Sequence, residues 1–481
     1  MNLRPDLGLT FDDVLLIPKR SGIKSRSEVR TSSWLVPGIR LEIPIISANM
    51  DTVTEAPMAI ALAKAGGIGI IHRFMPVTKQ VKNVQQVKRA ESFIVEHPLT
   101  IQAKTDLQEA RDIMLESGIG GLVVTDEYSH LQGLLTSRDI LFAPDETKIV
   151  ADIMTPREQL ITAAANEPLD AARIALHQHR IEKLPLVDDE DRVVGLITAQ
   201  DIIKLQEYPH ATKDSKGRLR VGVAVGVRSP DIDRAGACVE AGADILVVDI
   251  AHGHSEHTID MIRRLKKNFP EVPVIAGNVA TASGVRDLAE AGADAVKIGV
   301  GSGSICTTRI VTGFGVPQLT AVADCAKIGQ ESNLPIIADG GIRNSGDMTK
   351  ALAVGASTVM LGGLLAGTDE SPGADIVRAG RLYKVVRGMA SLTANVARKE
   401  IEKMGEVDPD EWESIVSEGV EALVPHRGEV KDILHQLVGG LRSGMSYAGA
   451  TSIPELWQNA EFIRITVAGR QESGPHDVNV I

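Results

Sequence analysis

Cysteine is scarce in this chain: three in 481 residues, at Cys238, Cys306 and Cys325. An odd, thin set builds no disulfide framework and points to a reducing compartment. No apolar run reaches 18 residues, which excludes a membrane-spanning helix. The stretch from Met1 to Asp6 lacks the apolar core of a secretory signal, so the expected location is cytoplasmic. A basic stripe is also missing, and a net charge of -12 argues against nucleic-acid binding. No His or Cys spacing suits zinc, His252 and His254 included. Aromatic residues make up only 3%. In their place stand 45 glycines and many alanines, the small residues that let helices sit close to strands in repeated βα units. With 43% hydrophobic and 24% charged residues, the composition is that of a globular protein with a substantial core, long enough for two or three domains.

What is present is repetition. An apolar helix end, a small-residue turn and a strand recur at 61–71, 238–248, 288–298 and 351–361. Between them lie short apolar runs that end in polar residues or glycine, at 43–49, 221–227, 272–278 and 334–339. That makes eight candidate strands, each continuous rather than alternating, as expected of strands buried on both faces. Eight strands separated by helices predict a (β/α)8 TIM barrel rather than an open doubly wound sheet.

A second repeat interrupts the first between strands two and three. Gly133-Leu134-Leu135-Thr136-Ser137-Arg138-Asp139-Ile140 is echoed by Gly195-Leu196-Ile197-Thr198-Ala199-Gln200-Asp201-Ile202. Each copy follows an amphipathic helix and a hairpin. The pattern resembles a tandem CBS pair, or Bateman domain, at 93–206. That divides the chain into a first barrel part at 1–92, the insert, and a second barrel part at 207–481. The resemblance implies a cleft for ATP- or GTP-type effectors, with Thr136, Asp139, Thr198 and Asp201 as regulatory nucleotide residues. The same aspartates can cap the helices that follow them, and the two roles are compatible.

The richest segment is Gly299-Val300-Gly301-Ser302-Gly303-Ser304-Ile305-Cys306-Thr307-Thr308-Arg309. Its glycines permit positive φ and close ligand approach, and a thiolate there would be a strong nucleophile. Cys238 and Cys325 sit on apolar helix faces and read as core. Ala338-Asp339-Gly340-Gly341 ends another strand in a carboxylate followed by two glycines. That arrangement suits ribose hydroxyls on Asp339 and phosphate on backbone amides at Gly341, Gly362 and Gly363, after strands seven and eight, with the Ser304 hydroxyl adding to them.

These motifs, with Leu9-Thr10-Phe11-Asp12-Asp13, Ser47-Ala48-Asn49-Met50-Asp51 and Arg387-Gly388-Met389-Ala390-Ser391, resemble the IMP dehydrogenase and GMP reductase family from residue 9 to His476-Asp477-Val478. The resemblance implies a purine-nucleotide oxidoreductase, homotetrameric or octameric, that works through a covalent Cys306 adduct at purine C2. It implies substrate binding by Ser47, Met50, Ser304, Asp339, Gly341, Gly362, Gly363, Gly388, Met389, Ala390 and Glu418. Asp249, Ala251, Gly253 and Asn278 would face the nicotinamide cofactor. The carbonyls of Gly301, Gly303 and Cys306 would hold a potassium ion. Thr308 and Glu370 are the expected proton-handling pair.

Both family reactions share the adduct, but only the dehydrogenase must activate water. Its relatives do so with an Arg-Tyr pair on a mobile flap. The matching segment here, 392–417, holds Arg398 but no tyrosine, and is acidic. Gly362-Gly363 also follows the reductase pattern, and Ala390 and Val386 depart from the dehydrogenase one. The preferred expectation is therefore a GMP reductase using NADPH. The alternative is an IMP dehydrogenase using NAD, which the stretch from Glu418 to Glu421 and the CBS pair favour. A non-catalytic nucleotide sensor is disfavoured, because Cys306, Thr308 and Asp339 are all retained.

Overall fold

The protein is described by a computed structural model covering residues 3–91, 94–96, 98–144, 147–165, 167–200, 202, 208–402 and 416–475. Asp201, residues 403–415 of the flap segment and residues 476–481 lie outside the described residues.

The eight expected strands are all there. They are β1 (Ile45–Ser47), β2 (Ile68–Ile71), β3 (Gly222–Val225), β4 (Ile245–Asp249), β5 (Val274–Val279), β6 (Ala295–Ile298), β7 (Ile336–Asp339) and β8 (Thr358–Leu361). Each pairs in parallel with the next, and β8 pairs with β1, closing the barrel. The continuous apolar runs follow from burial on both faces. In β4, Ile245 and Val247 point into the barrel with Ile68, Ala224, Ile275 and Met360. Leu246 and Val248 belong instead to the apolar layer beneath the surrounding helices. A hairpin, Ser33–Val36 with Ile39–Leu41, adds Leu35, Val36, Ile39 and Leu41 to the interior cluster. It fills one end of the barrel and leaves the C-terminal strand ends for the site.

One further element matters there. After β8 the chain forms an antiparallel sheet of Asp375–Arg378, Arg381–Arg387 and Glu421–Pro425. Arg387 pairs with Glu421, so residues 388–420 form an excursion between adjacent strands. The two ends of that excursion, with Met389 and Glu418, are thereby brought together.

The chain separates into two compact units: Met1–Lys88, His210–Thr212 and Leu219–Ile481 form the first, and Arg89–Pro209 with Lys213–Arg218 the second. The second is built from the internal repeat. Gly121–Thr125 pairs with Leu131–Thr136 in one copy, and Lys183–Val187 with Val193–Thr198 in the other. Helices Leu107–Ser117 and Leu169–His179 precede these hairpins. Val123, Leu131 and Leu134 of the first copy share an apolar cluster with Leu196 of the second.

Candidate active site

The cysteine loop leaves β6 at Ile298. Gln318 holds its base: Nε2 donates to the carbonyls of Ile298 (2.9 Å) and Asp339 (3.0 Å), clamping the ends of β6 and β7 together. Within the loop the Cys306 amide donates to the Gly303 carbonyl at 3.1 Å. From the far side, Cys306 bridges Gly419, the Thr307 amide donates to the Glu418 carbonyl (2.9 Å), and Val420 donates to Ile305 (3.0 Å). The result is a relay of side chains. The Cys306 thiol donates to Thr308 Oγ1 at 3.1 Å, and that hydroxyl donates to Glu418 Oε2 at 2.8 Å. Cys306 is partly exposed, whereas Cys238 and Cys325 are buried. Burial pushes the Cys238 thiol up to about 11 and that of Cys325 to about 12, so both are inert core groups.

The carboxylate bonded to Thr308 is not the one paired with it in the sequence reading. Thr308 and Glu370 are not joined: Glu370 Oε2 instead accepts the Val430 amide at 2.9 Å, at the start of helix Val430–Tyr447. Negative charge is favoured at a helix N-terminus, which suits Glu370 to this position. The carboxylate that Thr308 uses belongs to Glu418, expected from the sequence only as a purine contact.

A second cluster lies beside the first, and its centre escaped sequence reasoning. Lys297, in β6, is 2% exposed. Its ammonium contacts Asp249 Oδ1 at 2.8 Å and Asp339 Oδ2 at 2.7 Å, and also donates to Asn278 Oδ1. Asn278 Nδ2 in turn donates to Asp339 Oδ2 at 2.9 Å. Burial opposes the charge on Lys297, but the two carboxylates outweigh it and raise its pKa. Burial likewise opposes ionisation of Asp249, and Lys297 more than compensates, lowering its pKa. One buried cation thus joins the expected ribose anchor, Asp339, to the expected cofactor-side residues Asp249 and Asn278. The only signal in the sequence was a lysine inside an otherwise apolar strand.

The glycine loops complete the rim. Gly340 has φ +96°, and a Cβ there would come within 2.5 Å of Ser302 Oγ, so glycine is required where the two loops touch. Gly341 follows at φ +80°. Space beside Gly363 is bounded by Ser304 Oγ and beside Gly362 by Met50 Sδ, which unites four expected substrate residues. Met389 Sδ accepts the Asp51 amide at 3.4 Å, and Arg387 Nε holds Asp51 Oδ2 at 2.7 Å. The Ala390 carbonyl accepts the Glu418 amide (3.0 Å), and Gly388 packs on Gly419. Ser47 lies at the end of β1. It is fully buried and its hydroxyl accepts a bond from Thr54 (2.9 Å), so it secures the end of β1 while Met50 reaches the rim.

On the cofactor side the Gly253 amide donates to the Asn278 carbonyl at 2.8 Å, which seats the loop carrying Ala251 against the end of β5. Among the described residues no group of His, Cys, Asp and Glu is placed to hold a metal ion. A monovalent cation would have to use carbonyls, as expected for Gly301, Gly303 and Cys306. The Gly303 carbonyl keeps a second lone pair beyond its bond to the Cys306 amide. In the insert, Thr136 and Asp139 close a capping box on the helix Ser137–Leu141. Thr198 ends the equivalent strand, and Asp201 lies outside the described residues. Among the described residues no helix is long and apolar enough to cross a membrane.

Comparison with known proteins agrees with this geometry. A family model for the IMP dehydrogenase / GMP reductase domain matches residues 8–476. The inosine-5'-monophosphate dehydrogenase of Nitrosopumilus maritimus (strain SCM1) is 55% identical over 471 residues, 98% of each chain. A GMP reductase of Leishmania donovani is 48% identical over 481 residues, 98% of this chain and 97% of that one. A GMP reductase variant of Trypanosoma brucei, solved with guanosine 5'-monophosphate, superposes with a TM-score of 0.87 at 45% identity and covers 98% of both chains.

Proposed function

The chain belongs to the IMP dehydrogenase / GMP reductase family of oxidoreductases, and within it we propose that this member is a GMP reductase, forming IMP and ammonia from GMP with NADPH. The observation that carries the proposal is the relay Cys306–Thr308–Glu418. Purine C2 is electrophilic, and attack by sulfur needs a route for the thiol proton. Thr308 passes it to Glu418. The C2 amino group is then a poor leaving group unless protonated, and the same path returns a proton to it. The C–S bond has formed, the C–N bond breaks, ammonia departs, and the purine remains bound to Cys306. The nicotinamide cofactor supplies hydride when bound. Return of the electron pair to sulfur then releases IMP.

Asp339 is suited to the ribose hydroxyls, with Lys297 and Asn278 fixing its Oδ2. Ser304, Gly341, Gly362 and Gly363 line the path to the phosphate, Met50 and Met389 the purine. Hydrolysis of the adduct, which the dehydrogenase requires, needs a base on the flap. Residues 392–417 contain no tyrosine to pair with Arg398. Loss of a general base costs on the order of 10²–10⁴ in rate.

The second reading, IMP dehydrogenase, is favoured by relatives of that name, one of them 55% identical. One assay set separates the two. With GMP and NADPH the protein is expected to oxidise cofactor continuously. With IMP and NAD it is expected to yield one equivalent of NADH and stall. Sustained XMP formation would reverse the assignment.

A further inference from the structure

Apart from the relay and the Lys297 cluster, one more buried cation stands out. Lys384 lies in the middle of the strand Arg381–Arg387 and is 4% exposed. Its ammonium donates to three backbone carbonyls: Ser371 at 2.7 Å, Thr368 at 2.9 Å and Asp369 at 3.4 Å. Its ion-pair partner, Asp375, is 3.8 Å away and 63% exposed, so it supplies little counter-charge. Burying an ammonium is costly unless its N–H groups are satisfied. Here three donors meet three acceptors, a match that the planar fork of an arginine could not make. The converse also holds. Carbonyl oxygens that converge on one point need a cation there, as in a ring of carbonyls that replaces an ion's water shell.

The three carbonyls belong to the turn that follows β8, and that turn starts at Gly362-Gly363. The Leu365 and Ala366 amides both donate to the Gly362 carbonyl at 3.0 Å. Thr368 Oγ1 donates to the Leu365 carbonyl (2.8 Å), and Ser371 Oγ to the carbonyls of Ala366 (2.7 Å) and Thr368 (3.0 Å). Residues 362–371 therefore form one knot, with the ammonium at its base. The knot is also tied outward: the Arg427 amide donates to the Gly367 carbonyl (2.8 Å), and the Asp369 amide to the Gly428 carbonyl (3.0 Å). Beyond Lys384 the strand runs on to Arg387 and then Gly388-Met389. One side chain thus joins the turn after β8 to the strand that enters the excursion at 388–420.

We propose that Lys384 is a positioning residue for the substrate's phosphate: it fixes the turn whose first amides, at Gly362 and Gly363, receive that group. The inference rests on the reading of the substrate as a purine nucleotide held at those amides. Backbone N–H groups hold a phosphate only while they point at it, and glycines have no side chain to take over. Lys384 acts through the turn and not on the ligand, since its three hydrogen bonds all end on the turn. Without the ammonium the converging carbonyls separate, the knot relaxes, and the amides at its start lose their aim. The loss is then confined to the phosphate and spares the purine and ribose contacts.

The test compares GMP with guanosine, which lacks only the phosphate, by calorimetry on the full-length Cys306→Ala protein, where no adduct forms. Lys384→Met, uncharged and of similar length, is expected to weaken GMP binding about 10-fold or more and to leave guanosine binding unchanged. Lys384→Arg keeps the charge but cannot place three donors on one point, and should lose GMP affinity in the same selective way. In the Cys306 enzyme Lys384→Met should raise KM for GMP by more than it lowers kcat. Equal weakening of GMP and guanosine would overturn the proposal, because Lys384 would then support the pocket as a whole. Unchanged GMP affinity beside a lower melting temperature would overturn it too, since the residue would then serve stability alone. Should Lys384→Met fail to fold, Ser371→Ala decides. It removes the hydroxyl that braces the same turn, and is expected to give a smaller loss that is again confined to GMP; an equal loss of guanosine, or no loss, would overturn the proposal. IMP and inosine serve as a second pair, and none of these binding measurements needs turnover. A protein that converts IMP to XMP yet loses phosphate-bearing ligands selectively would keep the role of Lys384 and discard the reductase assignment. A working reductase without selective loss would do the reverse.

Discussion

Two regions of the molecule place a threonine beside an acid, and they do so for different ends. In the insert, Thr136 Oγ1 donates to Asp139 Oδ2 at 2.7 Å, three residues away, and the pair closes a capping box. On the barrel rim, Thr308 Oγ1 donates to Glu418 Oε2 across 110 residues while it accepts the Cys306 thiol. The first pair finishes a helix, and backbone need alone explains it. The second satisfies no turn, helix or strand. A polar pair that spans a long excursion from Gly388 to Val420, and that ends on a sulfur, is what the proposed chemistry would require. The partner's sequence distance, more than the residue types, separates a pair that local structure requires from one that it does not.

The largest effect should come from Cys306→Ala. It is expected to reduce turnover on the order of 10⁴–10⁶-fold, while GMP binding, followed by calorimetry, persists. Residual activity near the unsubstituted level would remove the nucleophile from the scheme. Next, Glu418→Gln should slow ammonia release on the order of 10²–10⁴-fold, with little change in GMP affinity. Glu370→Gln should leave kcat almost untouched and lower thermal stability, as a lost helix-terminal charge does, by about 0.3–1 kcal/mol. If the two variants exchanged these phenotypes, the relay would be a feature of the resting geometry only.

Lys297→Met probes the other half of the rim. It leaves Asp249 and Asp339 as partly buried like charges, for which the loss should fall below the about 3–5 kcal/mol of a fully buried set. The pH dependence should change sign. In the unsubstituted protein Asp249 is held below its ordinary 3.8 and Lys297 above its ordinary 10.5. The contribution of Asp249 is complete above 3.8 and lost as pH falls through that region. That of Lys297 is complete below 10.5 and lost only above it. Without the ammonium, burial and repulsion from the neighbouring carboxylate raise the Asp249 pKa. The variant should therefore gain stability as pH drops from 7 toward 5, where the original does not. Urea midpoints at both pH values measure this, and parallel curves would show that the ion triad carries no net charge coupling.

The barrel was legible because its signal is continuous: a strand buried on both faces, such as Ile245–Asp249, leaves an apolar run that needs no partner to be recognised. The cysteine loop was legible as a candidate site for a similar reason, since the glycine spacing around Cys306 is local. What stayed hidden depended on distant closure. Nothing in the sequence distinguishes Glu418 from Glu370 as the partner of Thr308. The pairing of Arg387 with Glu421 decides it, and strand register across an excursion is not a sequence pattern. Lys297 was hidden inside the strand signal itself, counted with its apolar neighbours. The contact from Thr54 to the Ser47 hydroxyl was equally hidden, since nothing in the motif says that a side chain at a strand end meets that partner.

The smallest expected effect tests the insert's side of the comparison. Both bonds from Thr136 to Asp139, from its amide at 2.8 Å and its hydroxyl at 2.7 Å, end on Oδ2. Oδ1 takes no part in the cap and is suited to a ribose hydroxyl, the role that the CBS resemblance implies. Asp139→Asn keeps one acceptor oxygen for the cap but halves the acceptors and removes the charge. Thr136→Ala removes the cap itself and should cost about 1 kcal/mol of stability. If Asp139 only caps, the Asn variant should be nearly silent and ATP or GTP binding should be unchanged. If it also binds ribose, effector affinity should fall about 10-fold, the size of one charge-assisted hydrogen bond, while the melting temperature moves by less than in Thr136→Ala. We expect the second outcome. It would mean that the local pair carries two functions on two oxygens, and that the contrast with the rim lies in how each acid is held rather than in whether it meets a ligand.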